Sequence, residues 1–459
     1  QFKVFMTRDV LSKLTNKQYL LINFLEAPVL AFILSFIIKY SNTENEMGYV
    51  FRENENLTAY IFMSVIVALF LGLTVSAEEI IRDRKILKRE KFLNLSRGSY
   101  LFSKIAIMFA VSAIQIFTFV LVGNSILEIK GMYLEYWLVL FSAACFANML
   151  GLNISASFDS AVTIYILIPF LIIPQLILSG VIVKFEKLNP LITVQKKVPL
   201  AGEIMASKWA FEALAVHQYK GNKFNEQFYY IDKDIHKASF KKNFWLSELK
   251  DRVNFLDHHI DEGGNVRKSM QAQDVLYNEI RKENERNPSV KLDEEYLELL
   301  KNHEVNEILL DDINDYLREL NKYYVKEYNH YNDEKDQLLI ELNATDELRE
   351  EFIKLKDAYT NESLEDLVTN KNDLEKIVEW KGELIQRANP IFKDPKGFRA
   401  HFLAPSKRLF GTNITTFSAN IMVLWVFSII LAITLYYDGL RKLIEGIAGI
   451  FKAKKFNAT

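Results

Sequence analysis

Apolar residues in this chain fall into a few long runs and one separate stretch where they recur every third or fourth position. A hydrocarbon core of ~30 Å takes ~20 mostly apolar residues at 1.5 Å each to cross. Six runs are that long, at 20–39, 57–77, 101–127, 136–156, 161–183 and 418–437. One such run could be the buried helix of a large soluble protein. Six together, mostly joined by short polar segments, predict membrane spans. Pro169 and Pro174 in the fifth fit this reading, because proline is better tolerated in membrane helices than in soluble ones. Ahead of the first run, Phe2, Phe5, Met6, Val10 and Leu14 stand among basic residues. That segment reads as an interfacial helix along the inner leaflet, or more plainly as the frayed end of a linker.

Between the fifth and sixth runs the pattern changes. Trp245, Leu249, Val253 and Leu256 follow helical spacing, as do Ile308, Leu309, Ile313, Tyr316, Leu317 and Leu320. So do Leu348, Phe352, Leu355 and Tyr359, and then Leu374, Ile377 and Val378. This is the signature of amphipathic helix. Thr345 before Asp346 and Glu347 reads as an N-cap, and Ser363-Leu364-Glu365-Asp366 resembles a capping box. Gly263-Gly264 and Asn287-Pro288 mark turns. Strand-type alternation is weak, so long helical hairpins are expected. The predicted fold class is an all-α membrane protein. It has an N-terminal interfacial helix, six transmembrane helices and a large helical domain inserted between helices 5 and 6. The expected boundaries are 1–183, 184–417 and 418–459.

The averages, 25% charged and 50% hydrophobic over 459 residues with a net charge of −2, conceal this division. Residues 184–417 hold 36 basic and 43 acidic side chains, and the rest of the chain holds 20 and 15. Near-neutral charge leaves no nucleic-acid footprint. The single cysteine, Cys145, excludes a disulfide framework and any CxxC metal site. Asp257-His258-His259 with Asp261 and Glu262 has poor ligand spacing, since adjacent helical residues do not face one another, and no metal site is expected. No nucleophile or acid–base constellation appears, so no catalytic residue is assigned. No charge falls at the middle of a span to define a proton relay.

Orientation follows from the loops. Arg82, Arg84, Lys85, Lys88, Arg89, Lys91 and Arg97 crowd the second-to-third connection. Both chain ends are also basic. By the positive-inside rule these segments are cytoplasmic and residues 184–417 lie outside. Usage rich in Lys, Asn, Ile, Tyr and Phe suggests a low-GC bacterium, hence a cytoplasmic (inner) membrane and a periplasmic or external insert. The chain opens at Gln1 on an amphipathic segment without a signal peptide, which suggests a piece of a longer polypeptide.

Three local patterns resemble one family. The first runs from Val75-Ser76-Ala77-Glu78-Glu79 through Asp83-Arg84-Lys85-Ile86-Leu87-Lys88-Arg89-Glu90 to Ser99-Tyr100 and Ser103-Lys104. The second is Leu178-Ser179-Gly180-Val181-Ile182-Val183 with Leu188-Asn189-Pro190, and the third is Lys208-Trp209-Ala210-Phe211-Glu212-Ala213-Leu214. In order, they resemble the membrane part of G-subfamily (ABC-2-like) ATP-binding cassette exporters over roughly 1–215 and 418–440. The resemblance implies a permease that works as a homo- or heterodimer, driven by a nucleotide-binding domain, fused or separate, that binds ATP and Mg2+. This chain has no G-x-x-x-x-G-K-[ST] of its own.

The resemblance also implies roles. Glu79, Asp83, Arg84, Arg89 and Glu90 would form the coupling helix to the ATPase. Gly72, Gln175, Val181 and Ile182 would line or gate the path, and Trp209, Phe211 and Glu212 would form an outer re-entrant element. Gly72 stands where the family often has a drug-clamping aromatic, so a flat aromatic substrate is not implied. A lipidic, amphipathic or peptide-like substrate is expected. The alternative is mechanical work on an envelope partner by the insert, or a membrane scaffold or receptor, without transport.

Overall fold

The computed structural model describes residues 1–40, 48–89, 95–259, 266–287 and 289–456. Helix dominates. A first helix, α1 (Phe2–Thr15), precedes α2 (Lys17–Ile38), whose start is capped by Asn16 accepting from the Tyr19 amide at 3.1 Å. Then come α3 (Leu57–Ser76), α4 (Glu79–Arg89), α5 (Arg97–Ile126), α6 (Tyr133–Ser157) and α7 (Ala161–Ile177). Among the described residues five helices are long and apolar enough to cross a membrane: α2, α3 with its continuation to Ile86, α5, α6 and, near the end of the chain, Thr416–Tyr436.

The predicted fifth span is shorter than its apolar run. α7 stops at Ile177 instead of continuing to Val183, because Ser179 and Gly180 turn the chain. Gly180 sits at φ +82°, and a Cβ there would meet the Phe185 ring at 2.3 Å, so only glycine fits. Seventeen residues give ~25 Å of helix, a little short of a full crossing.

The segment that follows is built on α8 (Leu200–Glu203), α9 (Ala206–Lys220) and α10 (Asn225–Phe240). A π-helical turn over Lys241–Trp245 leads into α11 (Leu246–Asp257). Next are α12 (Val266–Arg286), α13 (Glu294–Lys301), the 36-residue α14 (Glu307–Leu342), α15 (Asp346–Tyr359) and α16 (Glu362–Thr369). Thr345 caps α15 as predicted, accepting from the Leu348 amide at 3.2 Å. The predicted box at Ser363 is displaced by two residues. Asn361 is the N-cap of α16, accepting from Leu364 at 2.9 Å, and its amide also donates to the carbonyls of Phe51 and Asn54, both at 2.9 Å.

Among the described residues, two short antiparallel hairpins add to this mostly helical fold. β1 (Ile377–Trp380) pairs with β2 (Glu383–Gln386), and β3 (Ser406–Leu409) with β4 (Thr412–Thr415). Both close through two residues at positive φ, Lys381-Gly382 and Phe410-Gly411, the geometry of a type I′ turn. Leu374 is therefore an exposed loop residue and Ile377 and Val378 are strand residues, where helical spacing had predicted a helix. Four-residue strands are too short for alternation to outweigh a chance three-four pattern. The chain ends with α17 (Thr416–Tyr436) and α18 (Gly439–Phe456).

Packing forms two large cores. One runs from the spans (Leu57, Tyr60, Ile61, Val65, Phe119, Leu140, Leu424) without a break into α9 (Trp209, Phe211, Leu214), α16 (Leu364, Val368) and Ile391, Phe392 and Leu403. We call this extension the platform. The other core belongs to a distal lobe of α10–α14 with β2, centred on Trp245, Leu249, Val253, Leu276, Ile280, Ile313 and Leu317. Phe32, Phe36, Ile429 and Ile433 remain exposed on α2 and α17, as faces turned to lipid would be.

Candidate functional site

At the end of the bundle opposite the lobe, one lysine gathers three helices. Lys104, in the first turns of α5, is buried, and its Nζ lies 3.0 Å from Asp9 Oδ1, 3.1 Å from Glu79 Oε2 and 2.9 Å from Asp83 Oδ2. Lys13 of α1 takes the other Glu79 oxygen at 2.6 Å, and the Tyr100 hydroxyl donates to Asp83 at 3.1 Å. Helical spacing puts Glu79 and Asp83 on one face of α4, where they would repel each other alone. Lys104 and Lys13 of the same chain supply their partners. Asp9 and Lys13 were not singled out, and Lys104 entered only as the last residue of the first pattern, not as a counter-charge. The only signal was Lys104 itself, a charge at the head of an apolar run.

The start of α4 is held by α6. The amides of Ile80 and Ile81 both donate to Ser155 Oγ, at 3.0 and 3.1 Å. Arg84 binds the C-terminal carbonyls of α6, Ala156 O at 2.6 Å and Ser155 O at 3.3 Å, and pairs with Asp159. Cations are favoured there by the helix dipole as well as by hydrogen bonding. Arg89 stands apart. With Lys85 and Lys88 it is exposed on α4, and none of the three has an ion pair among the described residues. Glu90 lies outside the described residues. α4 thus has one face locked into its own bundle and an opposite basic face left free.

The gate candidates are not gathered in one place. Gly72 is buried where α3 crosses α6, and a Cβ there would come within 2.5 Å of Ala144 O and 2.8 Å of Ala147 Cβ. It permits close helix packing and does not face open space. Gln175 caps α9, accepting from the Ser207 amide through Oε1 at 2.9 Å, while its carbonyl accepts from Ser207 Oγ at 2.6 Å. Val181 and Ile182 fall in the turn beyond α7. Val181 packs on the first core and Ile182 is exposed.

The outer element is assembled around a buried carboxylate. Glu212 Oε1 accepts from Lys407 Nζ at 2.8 Å and the Leu403 amide at 3.0 Å. Glu212 Oε2 accepts from Asn420 Nδ2 at 3.0 Å and lies 3.2 Å from Lys208 Nζ. Burial alone would raise the Glu212 pKa, but Lys208 and Lys407 outweigh it and hold the carboxyl down at about 2. Lys208 also lies 3.4 Å from the centre of the Trp209 ring, whose indole donates to Glu203 O at 2.8 Å. Phe211 packs edge-on to Phe62 of α3 and stacks on Phe402. One carboxylate therefore ties α9 to β3 and to α17. Lys407 and Asn420 escaped sequence reasoning, because one sits in a polar hairpin and the other in an apolar run with no spacing to link them to Glu212.

No group of three metal-ligating side chains occurs among the described residues. His259 stacks on Phe255 and bonds its carbonyl at 2.8 Å, and the following Asp261 and Glu262 lie outside the described residues.

Residues 1–216 match the family model described as ABC-2 type transporter. Over 175 residues the chain is 29% identical to a protein of Petunia hybrida named ABC transporter G family member STR. The match covers 37% of this chain and 20% of the petunia protein. The chain thus spans about a fifth of that relative's length.

Proposed function

We propose that this multi-pass membrane chain, whose residues 1–216 match the ABC-2 type transporter model, is the permease part of a G-type ATP-driven exporter. A nucleotide-binding domain, fused or separate, would bind ATP and Mg2+ and dock on α4. The single observation that carries this reading is the division of α4 into two faces. Asp9, Glu79, Asp83 and Arg84 fix it rigidly to α1, α5 and α6, while Lys85, Lys88 and Arg89 stay free for an acidic partner surface. Displacement of α4 would be carried by the buried ion pairs into three helices at once, and through α5 and α6 along the bundle.

Six spans with α7 as the fifth, both termini cytoplasmic and the lobe outside complete the proposal, in a bacterial inner membrane. A second copy, or a related half, is called for by the apolar strip of α7. It includes Ile166, Phe170 and Ile173, and exposed apolar side chains follow past the helix at Ile182, Leu191, Leu200 and Ile204. The substrate class we propose is lipidic, amphipathic or peptide-like.

The test is co-reconstitution with the ATPase in proteoliposomes. Arg89→Glu is expected to leave assembly intact and to lower the ratio of substrate moved to ATP hydrolysed. An unchanged ratio would reject α4 as the coupling element.

A second reading has its own observation. Glu212 joins the platform to α17, and Asn361 joins α16 to the 51–54 segment, so spans and platform share one core. Motion of the spans would thus reach the lobe, which could work on an envelope partner without substrate crossing the bilayer.

A further inference from the structure

The sequence predicts spans without a central charge, and α2 departs from this. Glu26 stands nine residues past Lys17 and twelve short of Ile38, ~14 Å along the helix from the lysine. It is the one charged side chain in residues 18–38, 57–76, 105–126, 136–157, 161–177 and 416–436 taken together. An ionisable group at such a depth is costly to keep, and as a rule it marks a pathway or a binding site. Among the described residues Glu26 makes no hydrogen bond and no ion pair. Neither reading above uses it.

The chain has no cation to give it. Lys39, ~20 Å further along the helix axis, is paired with Glu128 at 3.0 Å. Lys13 and Lys104 are held by Asp9, Glu79 and Asp83. The other spans contain no Lys, Arg or His in the ranges just given, so a second copy of the chain would bring none to this depth either. Nearby neutral groups offer no donor. Asn23, one turn earlier on the same side of α2, donates its amide to Tyr19 O at 2.9 Å, and Gln115 of α5 donates to Asn23 O at 3.1 Å. Gln115 Oε1 is buried and has no hydrogen-bond partner. Where α2 meets α5, acceptors are in excess and the donors are spent.

Glu26 is only partly covered, and Ile22 and Val29, one turn before and after it, are 52% and 49% exposed. The carboxyl therefore opens toward the lipid-turned side of α2. We propose that Glu26 binds the primary ammonium group of a cationic amphiphile that reaches it through the bilayer. An ammonium carries three N–H donors and no acceptor, which is what this stretch lacks, and low dielectric strengthens its attraction to a carboxylate. The alkyl chain would lie against Ile22, Leu25 and Val29. The site rests on α2 being a span and not on export. Binding is measured without an ATPase, so the two can fail separately.

The full chain, in nanodiscs of phosphatidylcholine, is titrated with radiolabelled dodecylamine, which is charged at neutral pH, and bound amine is counted above its partition into empty nanodiscs. One saturable site per chain is expected, and none for dodecanol at the same mole fraction. Glu26→Gln should melt like the wild type and weaken amine binding about tenfold or more, since a charge-assisted hydrogen bond is lost. Glu26→Asp keeps the charge and should bind the amine more tightly than Glu26→Gln. Absence of saturable binding to the wild type would leave the carboxyl to a proton and overturn the site. Equal amine binding by the wild type and Glu26→Gln, or saturable binding of dodecanol as tight as that of the amine, would overturn it too.

Discussion

Lys104 and Glu212 are opposite solutions to one problem, a buried charge that needs enough partners to repay its desolvation. Lys104 has three carboxylates and Glu212 has two ammoniums and two amides. Removing one partner from a buried pair typically costs ~3–5 kcal/mol, because the other charge is left stranded. Lys104→Met would strand Asp9, Glu79 and Asp83 together and should lower thermal stability by an amount in that range. The additional replacement Asp83→Asn should recover part of it, which a melting series on the single and double variants would read. For Glu212 the prediction concerns pH. Its folded pKa, about 2, lies below that of an unfolded glutamate, so its contribution is complete above roughly pH 4.3 and is lost as pH falls toward 2. Wild-type melting between pH 7 and 5 should carry no component from this residue, and Glu212→Gln should flatten the fall in stability between about pH 4 and 2. An equally steep fall in the variant would contradict the assignment.

At the scale of elements, what was legible depended on how far the signal repeats. Long apolar runs located five spans to within a few residues, and the three-four spacing located α11, α14 and α15. Two kinds of feature were not legible. One is the short element fixed by a turn: the hairpins follow from Lys381-Gly382 and Phe410-Gly411, and the end of α7 from Gly180. The other is the partnership across distance. Glu79 and Glu212 could be quoted from the sequence, but not Lys104 or Lys407 as their counter-charges, since nothing in spacing reports a contact 25 or 195 residues away. Gly72 shows how the two combine. A glycine in an apolar run was read as part of the path, and its backbone neighbours in α6 place it at a helix crossing. Gly72→Val is expected to force α3 from α6, at about 1–3 kcal/mol for overpacking, and to lower the melting temperature even without substrate or ATPase present. A variant that melts like wild type would return Gly72 to open space.

In the proposed function, input and output stand at opposite ends of the molecule. α4 stands at one end of the bundle and the lobe at the other, and between them runs a core unbroken from Leu57 through Phe211 to Leu403. The proposed function needs the bilayer to separate those two ends. The native Cys145 is buried, so single reporter cysteines can be placed in a Cys145→Ala background at exposed sites, Lys88 on α4 and Phe410 on the second hairpin. The measurement is labelling of each reporter by an impermeant maleimide in intact cells and again after permeabilisation. The account predicts that Phe410→Cys is labelled in intact cells and Lys88→Cys only after permeabilisation. Labelling of both from the same side would contradict it.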